Sequence, residues 1–419
     1  MMRLHSALPS TLLAALLAAQ PCAAALADEA APQPSAPRNE AYQAGVRAVD
    51  AGRLEEAIEL LRTAVAEDPN NAGAVLELAL AHCELGHTEE ALRLFDEINR
   101  AYNPPPGIVD VINTYRAAGC RARDTRPASW AVGIARGHDN NVNQGVRQPT
   151  VRLGTGENEG EYQLDPEFLP KADSYTALNG SYVRPLNARG TLGIVQATLR
   201  RHDHQHSQDS ATMLAGIEHS WYLGRWRARA AAVLGAGTLD GQLYQRQQQL
   251  QLRAAPPITL AQNWDVALAA NASHVSYTTR QDYDSSTFEL GAIATYRSKR
   301  DQVQLTLHSA RDNGSATRPG GDRRGWFANA QWYTMLKTGW YAEAGLTHQH
   351  WQGERAYSPG LIAQSRRQDT TTGRAALQWY FRPNVSLQLE ARAVRNHENI
   401  ALFQYNSRAV QLNLRWDNF

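Results

Sequence analysis

The sequence of 419 residues has few cysteines, no excess of charge of either sign, and no long apolar run beyond its N-terminus. Three cysteines are too few for a scaffold held together by many disulfides. The 42 Lys and Arg residues are balanced by 41 Asp and Glu residues, which excludes a general nucleic-acid binder with its basic excess. Past residue 27 no stretch reaches the ~18 apolar residues of a membrane-spanning helix, and the mean hydropathy of −0.49 excludes a bundle of such helices. A membrane β-barrel stays open, because its strands alternate apolar and polar residues.

The first 27 residues have the pattern of a secretory signal peptide. A short basic start and an apolar run over residues 12–19 precede Ala25-Leu26-Ala27, a small-x-small cleavage site. Cleavage is therefore predicted between Ala27 and Asp28, and it sends the chain out of the cytoplasm. Residues 28–38 are rich in Ala and Pro and are predicted to form a linker.

Residues 39–120 are predicted to form tetratricopeptide repeats, as two units plus a trailing helix. Gly52-Arg-Leu-Glu-Glu-Ala57 recurs as Gly86-His-Thr-Glu-Glu-Ala91, an offset of 34 residues, and this offset is the tetratricopeptide period. Gly52 and Gly86 are expected to end the first helix of each unit, and Ala57 and Ala91 to let paired helices pack closely. Such arrays bind peptides or partner proteins, although a rigid spacer without a ligand would show the same pattern.

Cys83 and Cys120 are the only cysteines beyond the predicted signal peptide. Both fall in the repeat region, near the ends of first helices that should pack side by side. An exported chain meets an oxidising compartment, so a disulfide between them is possible, and two buried free thiols are the alternative.

From Ala128 onward the sequence alternates between apolar and polar residues. In the segment Val385–Ala393 every odd residue is apolar and every even one polar, and Val410, Leu412 and Leu414 alternate with polar neighbours in the same way. Long regular segments of this kind predict a 14-stranded antiparallel transmembrane β-barrel over residues 128–419, with a soluble β-sandwich as the main rival. The fold class is therefore α + β. The predicted strands begin near residues 128, 174, 190, 209, 225, 244, 263, 282, 300, 321, 338, 366, 384 and 404.

The connections between the predicted strands alternate between tight turns and longer polar loops. Outer-membrane barrels have short periplasmic turns and long external loops. An even number of strands puts both ends of the barrel, and with them the helical repeat, in the periplasm. The predicted location is therefore the cell outer membrane. The predicted long loops are 144–172, 202–210, 278–286, 311–324 and 353–368.

The barrel region holds few residues in a pattern typical of catalysis. His202, His204 and His206 alternate and could share one face as metal ligands, but a solvated outer loop or lumen rim is the favoured explanation. No phosphate-binding loop and no cysteine nucleophile occurs, so we expect neither an enzyme nor a metal or other cofactor. Several charged residues are predicted to point into a wet lumen: Arg227, Arg229, Glu289, Glu343, Glu390 and Arg392.

Two segments carry a resemblance to a known family. Gly137-His-Asp-Asn-Asn-Val-Asn143 follows the first strand, and Asn399-Ile-Ala-Leu-Phe-Gln-Tyr-Asn406 precedes the last. Together with the layout of signal peptide, tetratricopeptide units and 14-stranded barrel, they resemble the surface lipoprotein assembly modulators, or Slam proteins. The resemblance implies a translocon that moves a surface lipoprotein or secreted binding protein across the outer membrane. Its partners would be the exported client, a periplasmic chaperone, outer-membrane lipid and the barrel assembly machinery.

Two other functions remain open from the sequence, and of these a passive porin or barrel enzyme ranks last because neither explains the helical repeat. Exopolysaccharide export porins also join helical repeats to a barrel, with longer repeat arrays and a strongly acidic lumen. The lumen predicted here carries both signs of charge. The sequence favours protein cargo over polysaccharide without naming the client.

Overall fold

The computed structural model describes most of the chain between residues 40 and 418. The described residues are 40–50, 53–102, 104, 106–117, 119–120, 128–154, 157, 159–187, 190–223, 226–258, 261, 263–298 and 300–418. The predicted cleavage site at Ala27 and Asp28, the predicted linker and Gly52 lie outside these residues.

Within residues 40–117 the structure describes five helices, as two helical hairpins followed by a single helix. They are α1 (Glu40–Asp50), α2 (Leu54–Glu67), α3 (Ala72–Glu84), α4 (Thr88–Ala101) and α5 (Pro106–Ala117). Ala57 in α2 and Ala91 in α4 are fully buried. A Cβ on Gly45 of α1 would lie 2.6 Å from Leu61 Cγ, so α1 and α2 approach as closely as a glycine allows. Gly86 follows α3 with a φ of +80°, a conformation that glycine adopts without strain.

A disulfide links two segments of the helical region. It links Cys83 in α3 to Cys120, just after α5, across a sequence separation of 37 residues. Cys83 belongs to the apolar core of the helices, where Leu61, Phe95 and Ile112 have no exposed surface.

No helix in the described part of the chain is long and apolar enough to cross a membrane.

Fourteen strands form a closed antiparallel barrel, as predicted. Each strand pairs with its neighbours along the chain, and the first closes against the last, with Ala131 opposite Asp417 and Asp139 opposite Ala409. Every predicted strand start lies within about four residues of the observed one. The strands are β1 (Ser129–Asp139), β4 (Asp173–Pro185), β5 (Thr191–His202), β6 (Ser210–Leu223), β7 (Trp226–Leu239), β8 (Gln242–Ala255), β9 (Trp264–Tyr277), β10 (Ser285–Arg297), β11 (Asp301–Gly314), β12 (Arg323–Lys337), β13 (Trp340–Ser358), β14 (Ile362–Arg382), β15 (Val385–Glu398) and β16 (Tyr405–Asp417); β2 (Thr150–Leu153) and β3 (Gly160–Gln163) form a separate two-stranded sheet within the first long loop.

The two ends of the barrel differ in their connections. The start of β1 and the end of β16 lie at one end, which we call the short-turn end; the other is the long-loop end. The predicted loop over residues 353–368 is wrong, because β13 continues to Ser358 and β14 begins at Ile362. Its polar, Gly- and Pro-containing sequence reads as a loop, yet the two strands go on pairing through an irregular register. The connections at the long-loop end are 140–172, 203–209, 240–241, 278–284, 315–322, 359–361 and 399–404.

The outside of the barrel is apolar and its inside is polar. Leu234, Leu290 and Leu307 on the outer face expose 64%, 68% and 59% of their surface, which in water would be a large penalty and in a bilayer is not. Near the short-turn end Trp340 and Trp379 stack with ring centroids 5.4 Å apart, in the manner of an interfacial aromatic girdle.

Candidate functional site

The lumen wall on β8 is a ladder of amide side chains. Because successive residues of a strand face opposite sides and Leu250 faces outward with 57% of its surface exposed, the odd residues of β8 face the lumen. Four consecutive inward positions are glutamines: Gln245, Gln247, Gln249 and Gln251. Oε1 of Gln245 and Oε1 of Gln247 are buried and have no hydrogen-bond partner among the described residues.

The ladder continues sideways as a row of hydrogen bonds over three neighbouring strands. Gln249 Nε2 donates to Asn271 Oδ1 of β9 at 3.0 Å, and Asn271 Nδ2 donates to Glu289 Oε2 of β10 at 3.1 Å. His308 Nδ1 of β11 lies 3.5 Å from the same carboxylate oxygen. Glu289, one of the predicted lumen charges, is therefore part of a polar row and does not stand alone in the lumen.

Two other predicted lumen charges share one arginine. Arg374 on β14 places its guanidinium between Glu343 of β13, at 2.6 Å, and Glu390 of β15, at 2.8 Å. Both carboxylates were predicted from the sequence, and the arginine was not. Arg374 lies directly opposite Arg392, the predicted charge on β15, so two arginines stand side by side on the wall, and Glu343 and Glu390 pair with the first of them.

The remaining predicted lumen charges lie on β7. Arg227 and Arg229 are on the face opposite the exposed Leu234, and Arg229 Nε lies 3.5 Å from Glu218 Oε1 of β6. The lumen wall therefore carries paired charges of both signs among amides, with no continuous acidic surface in the part described.

A buried ionic cluster lies inside the long-loop end. Asp312 on β11 has no exposed surface, and its carboxylate contacts Arg318 at 2.9 Å and Arg323 at 2.5 Å. Arg318 belongs to loop 315–322 and is itself 8% exposed, so it ties that loop to the inner wall. A Cβ on Gly314 would lie 2.1 Å from Arg318 Cδ, so the arginine packs where only a glycine leaves room.

A second ion pair of the same kind lies farther round the wall. Arg366 of β14 donates two hydrogen bonds to the buried carboxylate of Glu398 on β15, at 2.8 and 2.5 Å. The Arg366 guanidinium also stacks over Phe403, at 4.2 Å from the ring centroid. Tyr357, whose ring contacts Phe403, hydrogen-bonds Tyr283 of loop 278–284 through the two hydroxyls at 3.1 Å. We call these residues, with the Asp312 group, the loop-end cluster; its charged members are Asp312, Arg318, Arg323, Arg366 and Glu398.

The two segments that carried the family resemblance meet where β1 closes against β16. Asn140 Oδ1 accepts from Arg408 N at 2.8 Å, and Asn141 Nδ2 donates to Asn406 O at 2.9 Å. The carboxylate of Asp139 accepts from Ser407 Oγ at 2.8 Å. These side chains satisfy backbone and side-chain groups at the seam, so their direct role is to fix the loops at the closing pair of strands.

Asn143 and Asn399 have the same role on either side of that seam. Asn143 donates to Leu169 O and accepts from Lys171 N, both at 2.9 Å, which folds the first long loop back on itself. Asn399 accepts from Arg367 N at 2.7 Å and so ties the last loop to β14.

The three alternating histidines do not converge on one point. His202 and His206 lie near Asp209, whereas His204 Nδ1 hydrogen-bonds Asp173 at 2.9 Å, and this contact raises the pKa of His204. Within the described ranges no group of three or more His, Cys, Asp or Glu side chains is arranged to hold a metal ion.

The helical region has one polar contact buried near the disulfide. His82 and His87 bring their Nδ1 atoms to 3.2 Å, and burial lowers the pKa of His82. A neutral His82 therefore packs against the core beside Cys83 as part of the repeat structure.

One family model matches the helical part of this architecture. Residues 48–106 match the tetratricopeptide repeat family. Surface lipoprotein assembly modifier 1 of Neisseria meningitidis serogroup B is 32% identical over 107 residues, which cover 26% of this chain and 21% of that protein. The match thus spans about a fifth of the relative's length.

Solved barrels were found at low similarity. OmpT of Vibrio cholerae is 6% identical with a TM-score of 0.36 and covers 69% of this chain and 97% of its own. OprD of Pseudomonas aeruginosa is 11% identical with a TM-score of 0.34, covering 69% and 94%. A bacterial polysaccharide outer membrane secretin is 7% identical with a TM-score of 0.33, covering 68% and 97%. The chain thus combines a tetratricopeptide repeat with a closed 14-stranded barrel of apolar exterior, and over 107 residues it is similar to the assembly modifier.

Proposed function

We propose that this Slam-like chain is a non-enzymatic outer-membrane translocon, which passes a surface lipoprotein or secreted binding protein through the barrel after the helical repeat has received it in the periplasm. The observation that carries the proposal is one chain that couples a protein-binding repeat to an amide-lined barrel. The proposal includes removal of residues 1–27 and a boundary between the two domains within residues 121–127.

The topology supports transfer of the client from the helical repeat to the barrel. An even number of strands returns the chain to the short-turn end, and β1 starts at that end too. Seven residues, 121–127, connect the helices to the barrel, a span of about 25 Å at most. A client held by the repeat, alone or with a periplasmic chaperone, would therefore stay close to the short-turn mouth of the barrel.

The lumen supports an unfolded polypeptide as cargo. Inward side chains on one strand repeat every ~6.8 Å, which is also the two-residue repeat of an extended polypeptide running beside it. A glutamine amide both donates and accepts hydrogen bonds, so the β8 ladder can pair with peptide groups whatever the client's sequence. On β8 the four inward positions 245, 247, 249 and 251 give a passing chain amides in place of an apolar surface.

The same wall weakens the case for an exopolysaccharide export porin. The lumen carboxylates Glu218, Glu343 and Glu390 each lie beside an arginine, so the acidic groups are neutralised in place. Amides do bind sugar hydroxyls, and polysaccharide cargo is therefore kept as an outcome of the test.

Transport would need no nucleotide. The drive would come from folding of the client, or from insertion of its lipid anchor, on the far side of the membrane. The barrel would then only need to offer transient hydrogen bonds to the passing chain.

The test measures surface display of the client encoded next to this gene in three strains. One carries the full chain, one lacks residues 40–120, and one carries Gln247→Ala, Gln249→Ala and Gln251→Ala. Gln248→Ala is the matched control, because Gln248 lies on the same strand and is exposed on the outer face. We expect display to fall at least tenfold in the deletion and in the triple variant and to stay unchanged in the control.

Heat-modifiable migration on gels verifies that each barrel is folded and present at a normal level. If the client reaches the surface in a strain without the protein, the translocon proposal is wrong. If only the deletion leaves display unchanged, the repeat is a spacer. If a surface polymer is lost while all neighbouring-gene proteins are displayed normally, the cargo is polysaccharide.

A further inference from the structure

A row of arginines crosses the outer face of the barrel at the long-loop end. Arg311 on β11 is the direct register partner of Arg324 on β12, and Gln352 on β13 lies between Arg324 and Arg367 of β14. Arg311, Arg324 and Arg367 are all exposed. They face outward, because Asp312, Arg323 and Arg366 beside them face the lumen.

Two more exposed outward arginines lie near the loop ends of the next two strands, with Arg395 opposite Thr371 of β14 and Arg408 opposite Ala393 of β15. Arg395 lies three residues from the loop end of β15, and Arg408 lies three residues from the loop end of β16. We call the five residues the arginine arc: Arg311, Arg324, Arg367, Arg395 and Arg408. Within the described part of the chain, no ion pair joins any of the five to a carboxylate; Arg311 hydrogen-bonds Asn313, and Arg367 hydrogen-bonds Gln352.

The arc lies where the apolar exterior ends. On β11 the exposed Leu307 precedes Arg311 by four residues, and on β16 the exposed Val410 follows Arg408 by two. A group at this height stands at the level of lipid headgroups when the apolar band sits in the hydrocarbon. By contrast, the outward residues at the same end of β6 and β10 are uncharged, for example Ala211 and Ser286.

The arrangement is electrostatically unfavourable unless an anion is present. Like charges directly opposite on neighbouring strands destabilise the pair, and Arg311 and Arg324 are such a pair. A phosphate between them would accept hydrogen bonds from both guanidinium groups, and arginine is suited to bidentate contact with phosphate. A planar array of headgroups would present such phosphates along the whole arc.

We propose that the arginine arc binds the phosphate groups of anionic lipid headgroups in the membrane leaflet at the long-loop end. In an outer membrane whose outer leaflet holds phosphorylated glycolipid, the arc would fix that end of the barrel at the surface of the leaflet. The side of the barrel formed by β11 to β16 would then carry tightly bound lipid. This inference stands whether or not the barrel translocates a client.

The test uses the full-length protein in a neutral detergent and lipid A as the probe, in its bisphosphorylated form and with both phosphates removed. Binding is measured by native mass spectrometry or by titration. Arg311→Gln, Arg324→Gln and Arg367→Gln are combined in one variant. The matched control combines Arg184→Gln, Arg201→Gln and Arg246→Gln, which are exposed outward arginines on β4, β5 and β8 and do not form a row.

Each arginine at a negative surface is worth roughly fivefold in affinity. We therefore expect the arc variant to bind bisphosphorylated lipid A on the order of 100-fold more weakly than the unmodified protein. The control variant should bind within about fivefold of it, and the dephosphorylated lipid should bind all three proteins equally weakly.

Equal binding by the arc and control variants would overturn the proposal, as would equal binding of the two lipids by the unmodified protein. Displacement of lipid A by 10 mM inorganic phosphate would identify a site for free phosphate and also contradict it. Heat-modifiable migration shows whether the triple variant is folded. If it is not, the single change Arg324→Gln replaces it, with an expected loss of roughly fivefold.

Discussion

Loop 315–322 is expected to detach from the inner wall when Asp312 is replaced by alanine. The buried carboxylate holds Arg318 of the loop at 2.9 Å and Arg323 of β12 at 2.5 Å. Removing one partner of a buried ion pair costs about 3–5 kcal/mol, because the charge left behind loses its partner and does not regain water. Arg323 is 25% exposed and can rehydrate in part, so we take the lower value, about 3 kcal/mol. That loss raises the population of the detached loop on the order of 100-fold.

The consequence is measured as conductance of the full-length protein in planar bilayers. A channel whose loop 315–322 is detached should conduct more than one whose loop is held at the wall. Asp312→Ala should therefore increase the fraction of time spent in the state of larger conductance. Asp312→Asn should have a smaller effect, because it keeps the shape of the side chain. Asp282→Asn is the control, since Asp282 is an exposed acid in the neighbouring loop 278–284. If Asp312→Ala and Asp282→Asn give the same conductance and the same urea midpoint, the loop-end cluster does not hold the loop.

Three further outcomes follow from other parts of the chain. Reducing the disulfide should lower the free energy of unfolding of the helical region by about 3–4 kcal/mol, as expected for a closed loop of this length, and labelling of both thiols without reduction would show that no disulfide forms. Gly45→Ala should cost about 1–3 kcal/mol by crowding Leu61, detectable as a lower melting temperature of the helical circular dichroism signal; no change would mean that α1 and α2 have room to separate. Because the pKa of His204 is raised, its contact with Asp173 stabilises the protein fully below the ordinary pKa of about 6.5, and this stabilisation is lost as pH rises through the raised pKa. An NMR titration should therefore show a lower pKa of His204 in the Asp173→Asn variant. An unchanged pKa would refute the pairing.

The overall architecture could be predicted because each domain has a strong period. The 34-residue offset between Gly52-Arg-Leu-Glu-Glu-Ala57 and Gly86-His-Thr-Glu-Glu-Ala91 indicated the repeat, and two-residue alternation indicated the strands and which of their faces is polar. Alternation also placed Glu343 and Glu390 on the polar face of their strands.

The contacts that could not be predicted depend on strand register, which decides which residues of neighbouring strands lie opposite each other. Arg374 lies between Glu343 and Glu390 only because of the register of β13, β14 and β15, which alternation within one strand does not fix. The loop-end cluster was missed for the same reason, since Arg318 comes from a loop. The signal for Glu398 was present, as it continues the inward positions of Glu390 on β15.

The long hairpin of β13 and β14 shows a different limit. Residues 353–368 contain glycine, proline and several arginines, and such a composition favours a loop. The strands nevertheless pair beyond the rest of the barrel, because each supplies the other's backbone hydrogen bonds.

The most direct test of the translocon account is a photo-crosslinking amino acid placed at two adjacent positions of β8 in living cells. At position 249 it replaces an inward residue of the amide ladder, and at position 248 it replaces an exposed residue of the outer face. The account predicts a crosslink from position 249 to the client polypeptide during export, and none from position 248. Absence of the client from the position 249 crosslinks while it is being displayed, or equal capture at both positions, would contradict passage through the lumen.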